Sequence, residues 1–442
     1  MGIRLSDHFT YKKLLRFVLP SIAMMVFISV YGVVDGFFVS NFAGKTSFAA
    51  INLVMPFVML LGGIGFMVGT GGTALVSKVL GEGDREKANR YFSMMVFLTL
   101  LLGVLLTAVG IAAMEPVARF LGATDAMIAD SVLYGRIVVG FTTAFMLQNV
   151  FQSFLIAAEK PKLGLYVTVA SGVANMVLDW LLVAVLPFGL AGAAAATAAS
   201  QFIGGVFPLI YFARKNSSRL HLTRCRLELR PLGRICANGS SELMGNISMS
   251  LVSMLYNVQL MQYAGEDGIA AYGVLMYVSM IFQAIFIGYS VGTAPIVSYH
   301  YGAQNREELK SLLRKAIFIV AIAALCMFAA GELLAAPLSR LFVAYDEELL
   351  QMTTHAFAIF SFSFLFSGFA INGSSFFTAL NDGLTSALIS FLRTLVFQVA
   401  AVLLFPLLWG LDGIWFSIVA AEIMAVLATI FFLLKKQKKY GY

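Results

Sequence analysis

The sequence predicts an all-α integral membrane protein: twelve transmembrane helices in two pseudo-symmetric six-helix lobes. Three observations carry this prediction. The 442-residue chain is 60% hydrophobic and only 12% charged, far from the balance of a soluble domain. Apolar runs of about 20 residues or more recur along it, each long enough to cross a bilayer as a helix. The chain is also written twice, in a register of about 221 residues. Gly72-Thr73-Ala74 returns as Gly292-Thr293-Ala294, and Gly81-Glu82-Gly83-Asp84-Arg85-Glu86 returns as Gly302-Ala303-Gln304-Asn305-Arg306-Glu307. Ala43-Gly44 returns as Ala264-Gly265, and Gly189-Leu190-Ala191-Gly192 as Gly410-Leu411-Asp412-Gly413. Such a register, kept from end to end, marks a duplicated unit whose two copies meet at a central pseudo-symmetry axis.

The spans follow in order at approximately 13–39, 47–79, 91–115, 127–157, 163–186 and 190–213, then 235–264, 268–301, 312–336, 347–380, 384–409 and 411–434. Several exceed the minimum length, which predicts tilted helices projecting past the bilayer. Their continuous apolarity excludes the alternating pattern of a membrane β-barrel. Residues 1–213 form the expected N-lobe and 235–442 the C-lobe, joined by a basic linker at 214–234. Arg4, Lys12 and Lys13 precede span 1 with no small-residue cleavage site after it, so no cleavable signal peptide is expected.

Charge sets the expected orientation. With the N-terminus inside, 25 of the 30 Lys and Arg residues fall on the cytoplasmic side and only Lys45, Arg119 and Arg340 in outer loops. This predicts a multi-pass protein of the cytoplasmic (plasma) membrane with both termini in the cytoplasm. The net charge of +7 then reflects topology and contact with anionic lipid, not nucleic-acid binding. Cys225, Cys236 and Cys326 have no metal or redox spacing and read as free thiols.

No phosphate-cradling loop is present: Gly44-Lys45-Thr46 lacks the first Gly of that motif, where Val39 stands. No cofactor is expected. Transport is then passive or driven by an ion gradient, and ion coupling needs ionisable groups inside the membrane. Asp35, Asp179, Glu242 and Glu422 are the acids clearly within spans, and Arg393 is the deep base. Asp35 and Asp179 each lie about 12 Å below the outer surface at helical rise. Tyr134 and Thr197 fall at a similar level, and Asn175 sits one turn from Asp179 on the same helical face. Two neighbouring carboxylates in a low-dielectric interior cannot both ionise cheaply, and a proton or a small cation relieves both. The oxygens of Asp35, Asn175, Asp179 and Thr197 suit a hard cation such as Na⁺, and no other metal site is expected.

This cluster is not duplicated. Asp35 maps to Tyr256, and Asp179 to Ala400 or Ala401. In the C-lobe, Glu242, Arg393 and Glu422 read either as a buried ion pair or triad, or as a second cation site at Glu242. Spans 7 and 8 carry Met254, Tyr256, Asn257, Met261, Met276 and Met280, thioether and aromatic groups that suit varied cationic molecules in a central cavity.

These residues resemble the multidrug and toxic compound extrusion (MATE) family over essentially the whole chain. The 6+6 plan carries the resemblance, with Val34-Asp35-Gly36-Phe37-Phe38-Val39, the two Gly-Thr-Ala inner segments, and Asn175 with Asp179 on span 5. Gly239-Ser240-Ser241-Glu242 is similar to drug-export members from Gram-positive bacteria. The resemblance implies export of cationic or amphipathic drugs and dyes by antiport against H⁺ or Na⁺, and lobes that rock between inward- and outward-open states. It implies a cation site at Asp35, Asn175, Asp179 and Thr197, with Tyr134 nearby. Glu242 stands where many relatives carry Pro. A lipid-linked or metabolite flippase of the same superfamily is the alternative, disfavoured by four buried acids against Arg393. A major facilitator loop would need a second Gly and Arg after Asp84-Arg85, where Glu86 and Lys87 stand. His8, His221, His300 and His355 are scattered along the chain, so an intramembrane enzyme is not expected. A monomer is expected.

Overall fold

The computed structural model describes residues 3–42, 45–344 and 346–442, with the side chains of residues 36, 37, 39–41 and 45–49 outside the description. The Ala43-Gly44 member of one repeated pair lies outside the described residues. The described chain is helical without a strand. The first half comprises α1 (Tyr11–Phe42), α2 (Lys45–Gly81), α3 (Arg85–Phe120), α4 (Asp125–Gly140), α5 (Thr142–Ala157), α6 (Pro161–Asp179) and α7 (Gly189–Ala213). A π-helical turn, Trp180–Val185, continues α6. The second half comprises α8 (Leu229–Gly302), α9 (Arg306–Val343), α10 (Glu347–Ser361), α11 (Phe364–Ala379), α12 (Gly383–Phe391), a π-helical turn at Leu392–Val396, α13 (Phe397–Trp409) and α14 (Leu411–Tyr440).

Nine continuous helical stretches among the described residues are long and apolar enough to span a bilayer, and two bent pairs, α4–α5 and α10–α11, bring the number to eleven. The twelfth comes from α8, whose 74 residues contain non-helical backbone at Gly265 (φ 62°, ψ −148°). The rings of Tyr256 and Tyr272, on either side of that break, stack at 5.2 Å. A straight helix would hold them about 24 Å apart, so α8 folds back on itself as two spans. Spans 7 and 8 of the sequence reading are thus one helical hairpin, turned at a glycine that can take positive φ.

The duplication is legible in backbone conformation even where side chains have diverged. Positive φ recurs at Gly83 (88°) and Gln304 (55°), at Glu159 (63°) and Asn381 (58°), and at Gly189 (56°) and Gly410 (59°). Asp84 caps α3 by accepting Lys87 N–H at 2.9 Å, and Asn305 caps α9 by accepting Glu308 N–H at 3.1 Å. The α4–α5 and α10–α11 bends, 52° and 49°, are equivalent as well.

Small residues let the lobes approach backbone to backbone at the end that carries the linker. A Cβ on Gly81 would collide with the Tyr299 carbonyl, and one on Gly302 with the Lys78 carbonyl. These two contacts are equivalent under the repeat, so they form a pseudo-twofold joint. Beside it, Gly71 packs on Ile235 and Gly239 on Met67, while Gly292 packs on Val18. Apolar burial continues across the joint: Leu14, Phe17 and Val18 of α1 share a core with Ile296, Leu312 and Phe377 of the C-lobe. Asn381 bridges the lobes too, its Nδ2 donating to Ala74 O at 3.3 Å and its Oδ1 accepting from Asn238 at 2.9 Å.

Residues 3–10 form a strap over this joint. Leu5 N–H donates to Glu159 of the N-lobe at 2.8 Å, and Phe9 N–H to Glu308 of the C-lobe at 2.9 Å. Lys315 Nζ donates to the Phe9 carbonyl. The lobes are therefore closed together at the linker end. We expect Gly302→Val to pry this joint apart. Spin labels at the exposed positions Glu86 and Lys310 should then report a longer distance by pulsed electron paramagnetic resonance. An unchanged distance would show that the joint does not depend on the glycine.

Candidate functional site

Five side chains from four helices converge inside the N-lobe. α1 supplies Asp35, α4 supplies Tyr134, α6 supplies Asn175 and Asp179, and α7 supplies Thr197. Asp35 and Asp179 face each other, Asn175 faces Asp35, and Tyr134 lies beside both acids with Thr197 next to its hydroxyl. Asp179 is 0% exposed, Asn175 2% and Tyr134 2%. Tyr31, one turn before Asp35 on α1, also faces that carboxyl. Helical spacing could have flagged it, since i and i−4 share a face.

Local packing explains the convergence. Gly172 of α6 is the seat for the rings of Phe27 and Tyr31, so α1 lies close along α6 at this level. α6 ends at Asp179 and passes into the π-helical turn Trp180–Val185. A π turn inserts an extra residue and re-aims neighbouring side chains, and such turns are frequent at functional sites.

Four oxygens at this site lack partners. Both carboxylate oxygens of Asp179, Oδ1 of Asp35 and Oδ1 of Asn175 are buried without a hydrogen bond. Buried acceptors are costly to leave unmet, and a carboxylate in a low-dielectric interior is costlier still. A hydron or a small oxygen-seeking cation supplies what the set lacks, so the residues present fit such an ion.

The C-lobe solves the same problem internally. Arg393, in the second π-helical turn, donates to both oxygens of Glu422: Nε at 3.1 and 2.9 Å, Nη2 at 2.8 Å. The pair is largely buried and bidentate, so each charge satisfies the other. Glu242 is not part of it. It sits on α8 one turn after Gly239, next to Leu243 and Asn246, which face Gly63 of α2. Its side chain is exposed on the surface of α8. No triad forms.

The expected cavity residues divide. Tyr256 is enclosed in the C-lobe core, its hydroxyl donating to Gln398 Oε1 at 2.8 Å and lying 2.7 Å from Ser417 Oγ. It does not line an open cavity. Met254, Met261 and Met280 are exposed, while Asn257 and Met276 are half-buried. Met280 lies at the lobe junction, where its carbonyl accepts from Ser29 of α1 at 3.4 Å. Ser131, Gln152 and Gln201 are further buried polar groups of the N-lobe with unpartnered oxygens. Nothing in the local sequence distinguishes them from ordinary helix-packing residues.

Twelve spans in two pseudo-symmetric lobes, with unmet acids enclosed in one of them, define a multi-pass membrane transporter. A family model described as MatE matches this chain twice, at residues 20–181 and 243–403. The chain belongs to that family of multidrug export transporters. It is 26% identical over 425 residues, 95% of this chain and 92% of the relative, to the multidrug export protein MepA of Staphylococcus saprophyticus. Against MepA of Staphylococcus aureus (strain MRSA252) it is 23% identical over 423 residues, with the same coverage. Among solved structures, an outward-facing conformation of a multidrug resistance MATE family transporter superposes with TM-score 0.93 at 23% identity, covering 98% of this chain and 97% of that one. A crystal structure of MATE in complex with MaL6 superposes with TM-score 0.92 at 24% identity, covering 98% and 97%.

Removing one partner of the C-lobe pair leaves the other charge buried and alone. Arg393→Met should cost about 3–5 kcal/mol, and adding Glu422→Leu should restore most of it. Thermal unfolding of the single and double variants in detergent checks this. Equal destabilisation by both would show that the pair is not self-compensating.

Proposed function

We propose that this protein exports cationic, amphipathic drugs and dyes by antiport against a monovalent cation, H⁺ or Na⁺, taken up at Asp35 and Asp179. The observation that carries the reading is the set of buried oxygens without partners on Asp35, Asn175 and Asp179. An ion bound there is held by the two carboxylates and Asn175, with Thr197 and Tyr134 completing a polar wall. The charge it brings replaces the hydration that the acids lack. Its arrival draws α1 towards α6, and its departure frees α1 to bend at Pro20, which lies inside that helix. Coupling follows because α1 also carries Val18 and Ser21 into the lobe joint at Gly292.

The basic linker and both termini are assigned to the cytoplasm on the positive-inside pattern of the sequence. The closed linker end is then the cytoplasmic gate, and the described conformation is the outward-directed one. Drug enters the inward-directed state between the lobes, among Met254, Asn257, Met261, Met276 and Met280, and leaves when the ion binds from outside. Glu242, one turn along α8 from Gly239 at the lobe contact, supplies a negative group that suits a cationic cargo. An anionic cargo is disfavoured, because Arg393 is already neutralised by Glu422. The working unit is a monomer in the cytoplasmic membrane, with no cofactor.

Ethidium flux in proteoliposomes tests this reading, with a pH gradient and a Na⁺ gradient imposed separately. We expect one gradient to drive flux, and Asp35→Asn to abolish gradient-driven flux while leaving the protein folded. Undiminished flux by that variant would remove the assignment. A second expectation concerns helix packing: Gly172→Val should displace Phe27 and Tyr31 and lower coupled flux at least about tenfold, with expression retained.

A further inference from the structure

At the linker end, outside the acidic cluster and the lobe interior, lies a cavity of about 560 Å³. That volume is within the range of small-ligand sites. Its walls come from four separate segments: Arg4 from the strap, Arg85 from the start of α3, Glu159 from the α5–α6 turn, and Arg219 from the linker. Tyr299 of the C-lobe adds a further wall.

The charges around it do not balance. Arg219 pairs with Glu159 at 3.4 Å, and the same Glu159 oxygen accepts Leu5 N–H at 2.8 Å. Arg85 donates only to neutral acceptors, Arg219 O at 3.1 Å and Ser218 O at 3.4 Å, with His221 Nε2 at 3.4 Å from its Nη2. These contacts aim its guanidinium without cancelling its charge. Asp7, which accepts the Arg4 backbone N–H at 3.1 Å, is bound to Lys13 at 2.8 Å. Of the other nearby acids, Glu82 faces Lys78 at 3.7 Å and Asp84 caps α3. Three arginines and one glutamate thus line the cavity, leaving a surplus of positive charge on its walls. Guanidinium groups lining one cavity match the oxygens of a phosphate group.

We propose that this cavity binds a phosphate-bearing anion, and that the bound anion holds the lobes closed at the linker end. The second half follows from the walls. Tyr299 belongs to one lobe, and its carbonyl lies against Gly81 of the other at the pseudo-twofold joint. Arg4 belongs to a strap fastened to both lobes. Opening the joint carries these walls apart, so the anion binds the closed state and favours it by that difference in affinity. The phosphate comes either from the headgroup of an anionic phospholipid or from a free phosphate compound. The site does not depend on the antiport reading, because it concerns the resting protein.

The test uses the full-length protein without any ion gradient. Thermal unfolding in detergent is followed with millimolar pyrophosphate against chloride at matched ionic strength. A parallel series compares nanodiscs of phosphatidylcholine with nanodiscs containing phosphatidylglycerol. The Glu86/Lys310 spin-label distance is recorded in each. We expect one source to raise the unfolding temperature and to narrow the linker-end distance distribution. A response to pyrophosphate identifies a free phosphate, and a response to phosphatidylglycerol alone identifies a lipid headgroup. Arg4→Gln should weaken the effect about tenfold, the loss of one charge-assisted contact. Failure of both sources to shift the wild-type protein beyond the chloride control would overturn the proposal. So would an undiminished response in both Arg4→Gln and Arg219→Gln.

Discussion

Two carboxyl groups face each other inside the N-lobe with three of their four oxygens unmet, and this is the constraint to which the rest of the molecule answers. Ionised acids in such a place cost several kcal/mol unless something compensates them. The surroundings keep the acids close. Gly172 seats α1 against α6, the π-helical turn begins where Asp179 ends its helix, and Tyr134, beside Thr197, lies next to both acids. The same fold handles intramembrane charge differently in its other half. There the bidentate Arg393–Glu422 pair completes itself and needs no visitor. One duplicated unit has thus become two electrostatic types, a lobe whose buried acids lack partners and a lobe whose buried acid is paired.

The lobe joint is the second element of the account. Gly81 and Gly302 place two helix backbones in direct contact at equivalent points of the repeat. Contacts of this kind have little tolerance for intermediate separations, so the joint suits a two-state device rather than a graded one. α1 belongs to both systems, since it carries Asp35 near its far end and packs into the C-lobe core through Leu14, Phe17 and Val18 at its near end. An ion at one end of that helix can therefore bias the joint at the other.

Much of this was legible in the sequence. The repeat register aligned Gly189 with Gly410 and Gly83 with Gln304, where positive φ recurs, and the boundary between spans 7 and 8, at 264–268, fell on the break at Gly265. The acid cluster was legible through depth and helical spacing, two properties fixed by the rise and pitch of a helix. What escaped notice depended on distant partners. Tyr256 appeared suited to a cavity because its aromatic character says nothing of Gln398 and Ser417, 142 and 161 residues away. Glu242 could have joined Arg393 and Glu422 by composition, but the guanidinium spends its donors on Glu422 alone. The strap at residues 3–10 was invisible for a similar reason: its anchors, Glu159 and Glu308, lie 154 and 299 residues further along.

In the proposed mechanism the facing acids are where the coupling ion binds. Ion binding to the purified protein tests it most directly, by equilibrium ²²Na⁺ retention in parallel with proton release from weakly buffered protein on drug addition. The account predicts that one of these signals is present in the wild-type protein and disappears when Asp35 and Asp179 are both replaced by Asn. A signal of undiminished size in that double variant would place the ion elsewhere and contradict the account.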